Sequence, residues 1–147
     1  MTLLVQIATT WAMTGIIWFV QLVQYPSFAR VDADAFAEFH AYHSSAISVI
    51  VGPLMIAEAL SALAVLRIQG VPTWQAWVGI GLVVVTWGST FLLQVPAHTR
   101  LGTGFDQATW QFLVRTNWIR TIAWSGRAAL VSYWAYRSLA MHPTPVG

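Results

Sequence analysis

The chain has 147 residues and a formal net charge of +2; 57% of its residues are hydrophobic and only 8% are charged. A soluble domain usually carries about 25% charged residues, and a chain this short exposes too much surface to hide such a deficit in a core. These values favour an integral membrane protein. The small, dispersed charge argues against nucleic-acid binding. The absence of cysteine excludes disulfides and thiolate metal sites.

Four stretches are long and apolar enough to be transmembrane helices, each of which needs about 20 residues. The predicted spans are residues 3–24, 44–66, 73–95 and 115–136. Residues 1–147 are therefore expected to form a single transmembrane domain, an all-α four-helix transmembrane bundle. The first span lacks the basic leader and the cleavage site of a signal peptide, so we expect it to be retained. The sequence shows no convincing internal repeat.

Prolines and polar stretches mark the predicted ends of the spans. Proline disfavours helix in the residue before it, so the first helix is expected to break at Tyr25-Pro26, and Pro96 is expected to open the loop after the third span. Residues 30–38 are polar but keep helical spacing, which predicts an amphipathic interfacial extension that continues into the second span. The tail, residues 142–147, contains two prolines and is predicted to be disordered.

Polar residues gather where the first and third spans end and where the second and fourth begin. Because successive spans alternate in direction, all four groups are expected at one membrane face. Polar and ionisable residues inside a membrane are costly, and they indicate function by default. The groups are Gln21, Gln24 and Tyr25; His40 and His43; Gln94 and His98; and Asn117 and Arg120.

Three histidines in this set form a candidate metal site. His40 and His43 stand three residues apart and share one helix face, while His98 comes from another helix. Three imidazoles suit iron, copper or zinc, so the predicted cofactor is a transition metal ion, with iron or copper preferred to zinc. Haem with one or two of these histidines as axial ligands is the alternative. In the structural interpretation, the histidines only anchor a helix at the interface.

Glu58 lies far deeper in the second span and has two interpretations. It is a candidate fourth metal ligand if the helix breaks; otherwise it pairs with Arg127, because an unpaired buried charge is costly. The candidate catalytic residues are Asn117, Arg120 and Gln94. Arg120 is expected to bind a negative charge or a quinone carbonyl, and the two amides are expected to orient metal ligands or substrate.

Several short patterns carry a resemblance to known families. Residues 21–28 (Gln-Leu-Val-Gln-Tyr-Pro-Ser-Phe), 39–43, 52–58, 94–98 and 115–121 together resemble an uncharacterised family of bacterial four-transmembrane-helix proteins. This resemblance implies the bacterial inner membrane as the location. More distantly, the chain is similar to the anthrone-oxygenase-like membrane domain family. That family has a proline-polar motif after the third span and Asn-x-x-Arg at the start of the fourth.

Pro96 with His98, and Asn117 with Arg120, occupy the places of those two motifs, although His98 stands where that family is expected to have asparagine. The similarity implies an oxygenase-like or aromatic-ligand function. The leading hypothesis is thus a membrane-embedded metal-dependent oxidoreductase, an oxygenase for example, acting on a lipophilic or quinone-like substrate. Its expected partners are a lipophilic small molecule, membrane lipids and further copies in a homo-oligomer. The alternatives are a non-catalytic binding or transport subunit and a haem protein of electron transfer.

Overall fold

The computed structural model describes residues 1–141, which form four helices and no strand. The helices are α1 (Thr2–Phe28), α2 (Ala33–Val65), α3 (Thr73–Leu101) and α4 (Gln107–Met141). The all-α prediction is confirmed for this part of the chain. The tail predicted to be disordered, residues 142–147, lies outside the described residues.

Helices α1, α2 and α3 are long and apolar enough, by length and composition, to cross a membrane. Much of their apolar surface faces outward: only 22–39% of the most apolar window of each helix is buried inside the protein. Leu4, Leu60 and Leu92, for example, are 65–76% exposed. Such a surface is stable in lipid and unfavourable in water. Helix α4 is more polar and is not among the three.

Two π-helical turns are the main difference between the observed helices and the predicted ones. The π-helical residues are Val20–Gln24 in α1 and Thr90–Gln94 in α3. In each case one residue separates the turn from a proline, Pro26 or Pro96. The predicted breaks at these prolines are wrong, because both helices continue through them. Proline lacks an N–H and clashes with the carbonyl four residues earlier. A π turn pairs residues five apart, which accommodates that missing donor.

Helix α2 is a single helix of 33 residues. At 1.5 Å per residue it is about 50 Å long, which exceeds a hydrocarbon core of about 30 Å. The predicted continuity between the polar extension and the second span is confirmed. Asp32 occupies its N-cap without a side-chain cap bond, and Pro53 lies within the helix without ending it.

The bundle is held together mainly through α4, which packs against both α1 and α3, while α1 packs against α2. The indoles of Trp11 and Trp18 on α1 donate hydrogen bonds of 3.1 Å to Ser132 and Ser125 on α4. Helices α2 and α3 make far fewer contacts with each other. A cavity lies on this loosely packed side.

Candidate functional site

A cavity of about 600 Å³ lies between α2 and α3, with α1 and α4 behind it. Small-molecule sites typically measure about 300–1,000 Å³ and combine apolar walls with a few polar groups. This cavity follows that pattern: one part is lined by apolar side chains and another by the predicted polar cluster. The polar part contains Tyr25, His40, His43, Thr90, Gln94, His98 and Arg120; the apolar part includes Met13, Ile17, Ile47, Val51, Met55 and Trp124.

Arg120 organises the polar part of the cavity. Its Nε donates to Asn117 Oδ1 at 2.9 Å, and its Nη2 donates to Tyr25 Oη at 3.0 Å and Gln94 Oε1 at 3.3 Å. The remaining nitrogen, Nη1, has only a 3.5 Å contact with Thr90 Oγ1. None of these partners is a carboxylate. Within the described residues, the guanidinium is thus held by neutral acceptors, and Nη1 is left available to a ligand.

The two amides predicted to orient metal ligands or substrate bind Arg120 instead. Asn117 is fully buried, and its Nδ2 donates to Gln21 Oε1 at 2.8 Å, so its Oδ1 is aimed at the guanidinium. Gln94 is fixed in the same way by a 2.8 Å bond from its Nε2 to Thr116 Oγ1. Neither amide bonds to an imidazole in the structure. The structure does bring polar residues from α1, α3 and α4 together, and within this cluster the two amides position Arg120.

The three histidines do meet, as the sequence analysis expects. His40 Nε2 and His98 Nδ1 are 2.9 Å apart, and the ring centroids of His43 and His98 are 6.1 Å apart. The opposite nitrogen of His98, Nε2, lies 3.0 Å from Tyr25 Oη. Phe28 lies edge-on to all three imidazoles at centroid distances of 5.2–6.4 Å. His98 and His40 therefore extend the Arg120–Tyr25 contact into one continuous chain of hydrogen bonds, and His43 lies beside it.

This arrangement does not fit a three-histidine metal ion as it stands. In the part of the chain that the structure describes, no group of three or more His, Asp or Glu side chains has the geometry to hold a metal. His40 and His98 each use one ring nitrogen in the hydrogen bond between them. A tetrahedral ion with N–metal bonds of about 2.0–2.1 Å would need these nitrogens about 3.3 Å apart. It would also need a ring nitrogen of His43, whose ring centroid lies 6.1 Å from that of His98, to reach the same point.

Glu58 belongs to a separate buried cluster and not to the histidines. It forms an ion pair with Arg127, and Gln6 Nε2 donates to its Oε1 at 3.0 Å. All three side chains are at most 1% exposed. The predicted pairing of Glu58 with Arg127 is confirmed, and α2 stays helical between Glu58 and His43, so the carboxylate is kept away from the imidazoles.

Asp106 caps the helix that carries Arg120. Its Oδ2 accepts a 2.7 Å bond from the Thr109 backbone N–H. Hydrogen bonds from the Thr109 hydroxyl and backbone lower the pKa of Asp106 below its ordinary value. An ionised N-cap also complements the positive end of the helix dipole. Asp106 thus fixes the start of α4 and does not line the cavity.

Two residues of the site were given no role by the sequence analysis, although both were in the polar cluster. Tyr25 bridges Arg120 and His98, and Gln21 holds Asn117. A local signal was present: Leu-Val-Gln-Tyr-Pro (22–26) and Leu-Leu-Gln-Val-Pro (92–96) are alike, and each ends a π turn. Such turns occur frequently at functional sites.

A comparison with protein-family models gives no match, and comparisons with curated proteins and with solved structures give none either. Function is therefore inferred from the residues that line the cavity.

Proposed function

We propose that the protein spans the bacterial inner membrane four times and binds a lipophilic molecule with an oxygen-bearing head group in the cavity. The head is a carboxylate, an ionised hydroxyl or a quinone carbonyl, and Arg120 is its principal ligand. The apolar part of the cavity holds the hydrophobic body. The resemblance to oxygenase-like membrane domains with an Asn-x-x-Arg motif is consistent with this assignment, since Asn117 and Arg120 form the core of the site.

The fourth span is supported by where α4 places its charges. Arg127 is 1% exposed and Arg120 is half-buried, so both reduce the mean hydropathy of the helix without facing lipid. Ile122 is 68% exposed, so apolar side chains do face outward. The exposed Arg115 and Arg137 stand 22 residues apart. That separation is about 33 Å along a helix, close to the thickness of the hydrocarbon core.

The observation that carries the binding proposal is the half-buried Arg120 with no carboxylate partner. Burial of a charge without a counter-charge is costly, and proteins normally pair such groups. Arg127, two turns further along α4, follows that rule by pairing with Glu58. Arg120 departs from it, and its Nη1 is left with only the long contact to Thr90. An anionic or strongly polar oxygen on the ligand would complete its coordination.

The test uses purified protein in detergent and two matched probes, dodecanoate and dodecanol. We expect wild type to bind the acid more tightly than the alcohol, as measured by calorimetry. Arg120→Gln should weaken binding of the acid by about 10- to 100-fold, because a hydrogen bond to a charged group contributes about 1.5–3 kcal/mol. Binding of the alcohol should change little.

Arg115→Gln is the matched control, since Arg115 is an exposed arginine on the same helix. It should leave both affinities at the wild-type values. Equal affinity for acid and alcohol, or an unchanged affinity for the acid in Arg120→Gln, would contradict the proposed role of Arg120.

A second candidate function is the metal-dependent oxidoreductase, and the clustering of His40, His43 and His98 favours it. A small separation of His40 from His98 and a rotation of His43 would create three nitrogen ligands. Haem is less compatible, because the facing nitrogens of His40 and His98 are only 2.9 Å apart. Elemental analysis of protein purified without chelators decides this candidate: stoichiometric iron or copper, lost in His98→Ala, would support it.

A further inference from the structure

We propose that Tyr25, His98 and His40 form a proton relay that takes up the proton of an acidic ligand as that ligand ionises beside Arg120. This inference rests on the proposed function, because it concerns the same cavity. It adds a chemical step to binding: the site is an acid–base centre, and its substrate class is lipophilic molecules with an ionisable hydroxyl or an acidic C–H next to a carbonyl.

The relay has a direction, which follows from counting donors. Arg120 has no acceptor, so its 3.0 Å bond to Tyr25 uses a lone pair of the phenol oxygen. The phenol proton is then free for His98 Nε2 at 3.0 Å. The other acceptor near the phenol is Gln94 Oε1, which lies farther away at 3.5 Å. The shorter contact, to His98 Nε2, assigns the phenol proton to that nitrogen.

A neutral imidazole has one donor and one acceptor nitrogen. If His98 accepts from Tyr25 at Nε2, its proton lies on Nδ1, and this proton points at His40 Nε2 at 2.9 Å. His40 then accepts at Nε2 and carries its own proton on Nδ1. Tyr25 donates to His98 and His98 donates to His40, so one proton can shift along both links in the same direction.

The step is balanced without any further reactant. The ligand O–H or C–H bond breaks and its proton goes to Tyr25 Oη, while the Tyr25 proton moves to His98 Nε2 and the His98 Nδ1 proton moves to His40 Nε2. The electron pair stays on the ligand, whose anion is held by Arg120. The net change is one ionised ligand and one imidazolium at His40, and nothing is oxidised or reduced.

The surroundings act differently on the two charges: Arg120 favours the anion, whereas the burial of His40, which is 3% exposed, opposes the imidazolium. Arg120 stabilises negative charge at the cavity end of the relay, next to Tyr25. Phe36 stacks on His40 at 5.7 Å, and Phe28 lies edge-on to it. His43 is the titratable group beside the relay, and within residues 1–141 no carboxylate forms an ion pair with any of its members.

The first test reads the tautomers in the free protein by ¹⁵N NMR of histidine-labelled samples. We expect His98 and His40 in wild type to carry their protons on Nδ1. Tyr25→Phe should move His98 toward the Nε2-protonated form, because Nε2 then has no donor. Tyr42→Phe is the matched control, since Tyr42 is 74% exposed. A proton on His98 Nε2 in wild type, or no change in Tyr25→Phe, would overturn the relay.

The second test uses an alkyl-substituted nitrophenol, whose ionised form absorbs visible light, in weakly buffered solution with a pH dye. Wild type should bind it as phenolate without releasing a proton. In His98→Gln the phenolate-to-phenol ratio should fall about tenfold, which corresponds to one pKa unit of the probe. Arg120→Gln should lose binding itself.

These outcomes separate the two proposals. Binding as neutral phenol, or as phenolate with about one proton released per ligand, would overturn the relay and leave the binding site intact. If the probe does not bind wild type, the proposed function loses support, and the tautomer measurement alone decides the relay.

Discussion

Two arginines on α4, Arg127, which is buried, and Arg120, which is half-buried, show how one residue type serves two purposes. Arg127 has a carboxylate partner in Glu58, whereas Arg120 is surrounded by Asn117, Gln94 and Tyr25. The ion pair compensates both charges within the protein, although Glu58 Oε2 and Arg127 Nε have no hydrogen-bond partner in the described part of the chain. Neutral acceptors hold the guanidinium in place but leave its charge uncompensated. We therefore assign Arg127 to stability and Arg120 to binding.

The Glu58–Arg127 pair gives a stability prediction. Arg127→Met should lower the free energy of unfolding by about 3–5 kcal/mol, because it leaves a buried carboxylate without its partner. Glu58→Met should do the same for the guanidinium. The double variant should recover much of the loss, since a buried pair and a well-packed apolar replacement are often similar in stability. Unfolding in detergent, followed by circular dichroism, measures all three variants.

Arg137→Met serves as the control for this series, because Arg137 is exposed on the same helix. It should change stability little. Additive losses in the double variant would show that Glu58 and Arg127 do not stabilise each other.

At the residue scale, the polar cluster was predictable from the sequence, whereas the Glu58–Arg127 pair was one of two interpretations of Glu58 that the sequence left open. Both follow from the cost of buried polar groups together with alternating helix direction. The roles within the cluster were not predictable in this way. That Asn117 holds Arg120, and that Tyr25 connects Arg120 to His98, depends on side-chain positions within a few tenths of an ångström. Spacing along one helix cannot fix distances between helices.

At the scale of elements, the main surprise is that α1 and α3 continue through Pro26 and Pro96. A proline considered in isolation predicts the end of a helix. The prediction fails here because a π turn comes directly before each X-Pro pair. The wider hydrogen-bond spacing of this turn accommodates the proline, which has no N–H to donate. The consequence is functional, since Tyr25 and His98 follow these turns and remain on helices. Both side chains are thereby fixed in direction.

The contact between α3 and α4 depends on a glycine. A Cβ at Gly79 would lie 2.7 Å from Arg127 Nη1 and 3.3 Å from Trp134 Cη2. The guanidinium is held by its ion pair with Glu58, so a shift away from this Cβ would weaken that pair. Gly79→Ala should therefore lower the free energy of unfolding by about 1–3 kcal/mol through overpacking. Thermal unfolding in detergent measures the change.

Gly81→Ala, on the same helix, is the matched control because a Cβ there meets nothing within 4 Å. Alanine is the better helix former by about 1 kcal/mol, so this variant should be neutral or slightly stabilised. A Gly79→Ala protein as stable as Gly81→Ala would contradict the packing assigned to Arg127.

At the scale of the whole molecule, the sequence was sufficient for the helical class and for three apolar helices. Whether the fourth helix crosses the membrane is harder to predict, because its arginines lower its mean hydropathy to that of a surface helix. Only the structure shows that Arg127 is buried inside the bundle. Whether several copies assemble remains a prediction. The membrane topology itself is open to a direct experiment, because the chain has no native cysteine to interfere with labelling.

Four single-cysteine variants each carry one thiol near the C-terminal end of a different helix. They are Arg30→Cys, Gln69→Cys, Thr103→Cys and Ala140→Cys. With four spans, a membrane-impermeant thiol reagent should label positions 30 and 103 from one side and positions 69 and 140 from the other. Labelling of position 140 from the same side as position 103 would show that α4 does not cross the membrane.

The central claim is that a lipophilic molecule lies in the cavity with its oxygen-bearing head group at Arg120. The most direct measurement is photo-crosslinking with a long-chain carboxylic acid that carries a diazirine at its tail, followed by mass spectrometry. We predict adducts on apolar cavity residues such as Met55, Ile47 and Trp124, suppressed by unlabelled acid and strongly reduced in Arg120→Gln. Adducts confined to lipid-facing side chains such as Leu92, and unaffected by Arg120→Gln, would contradict the claim.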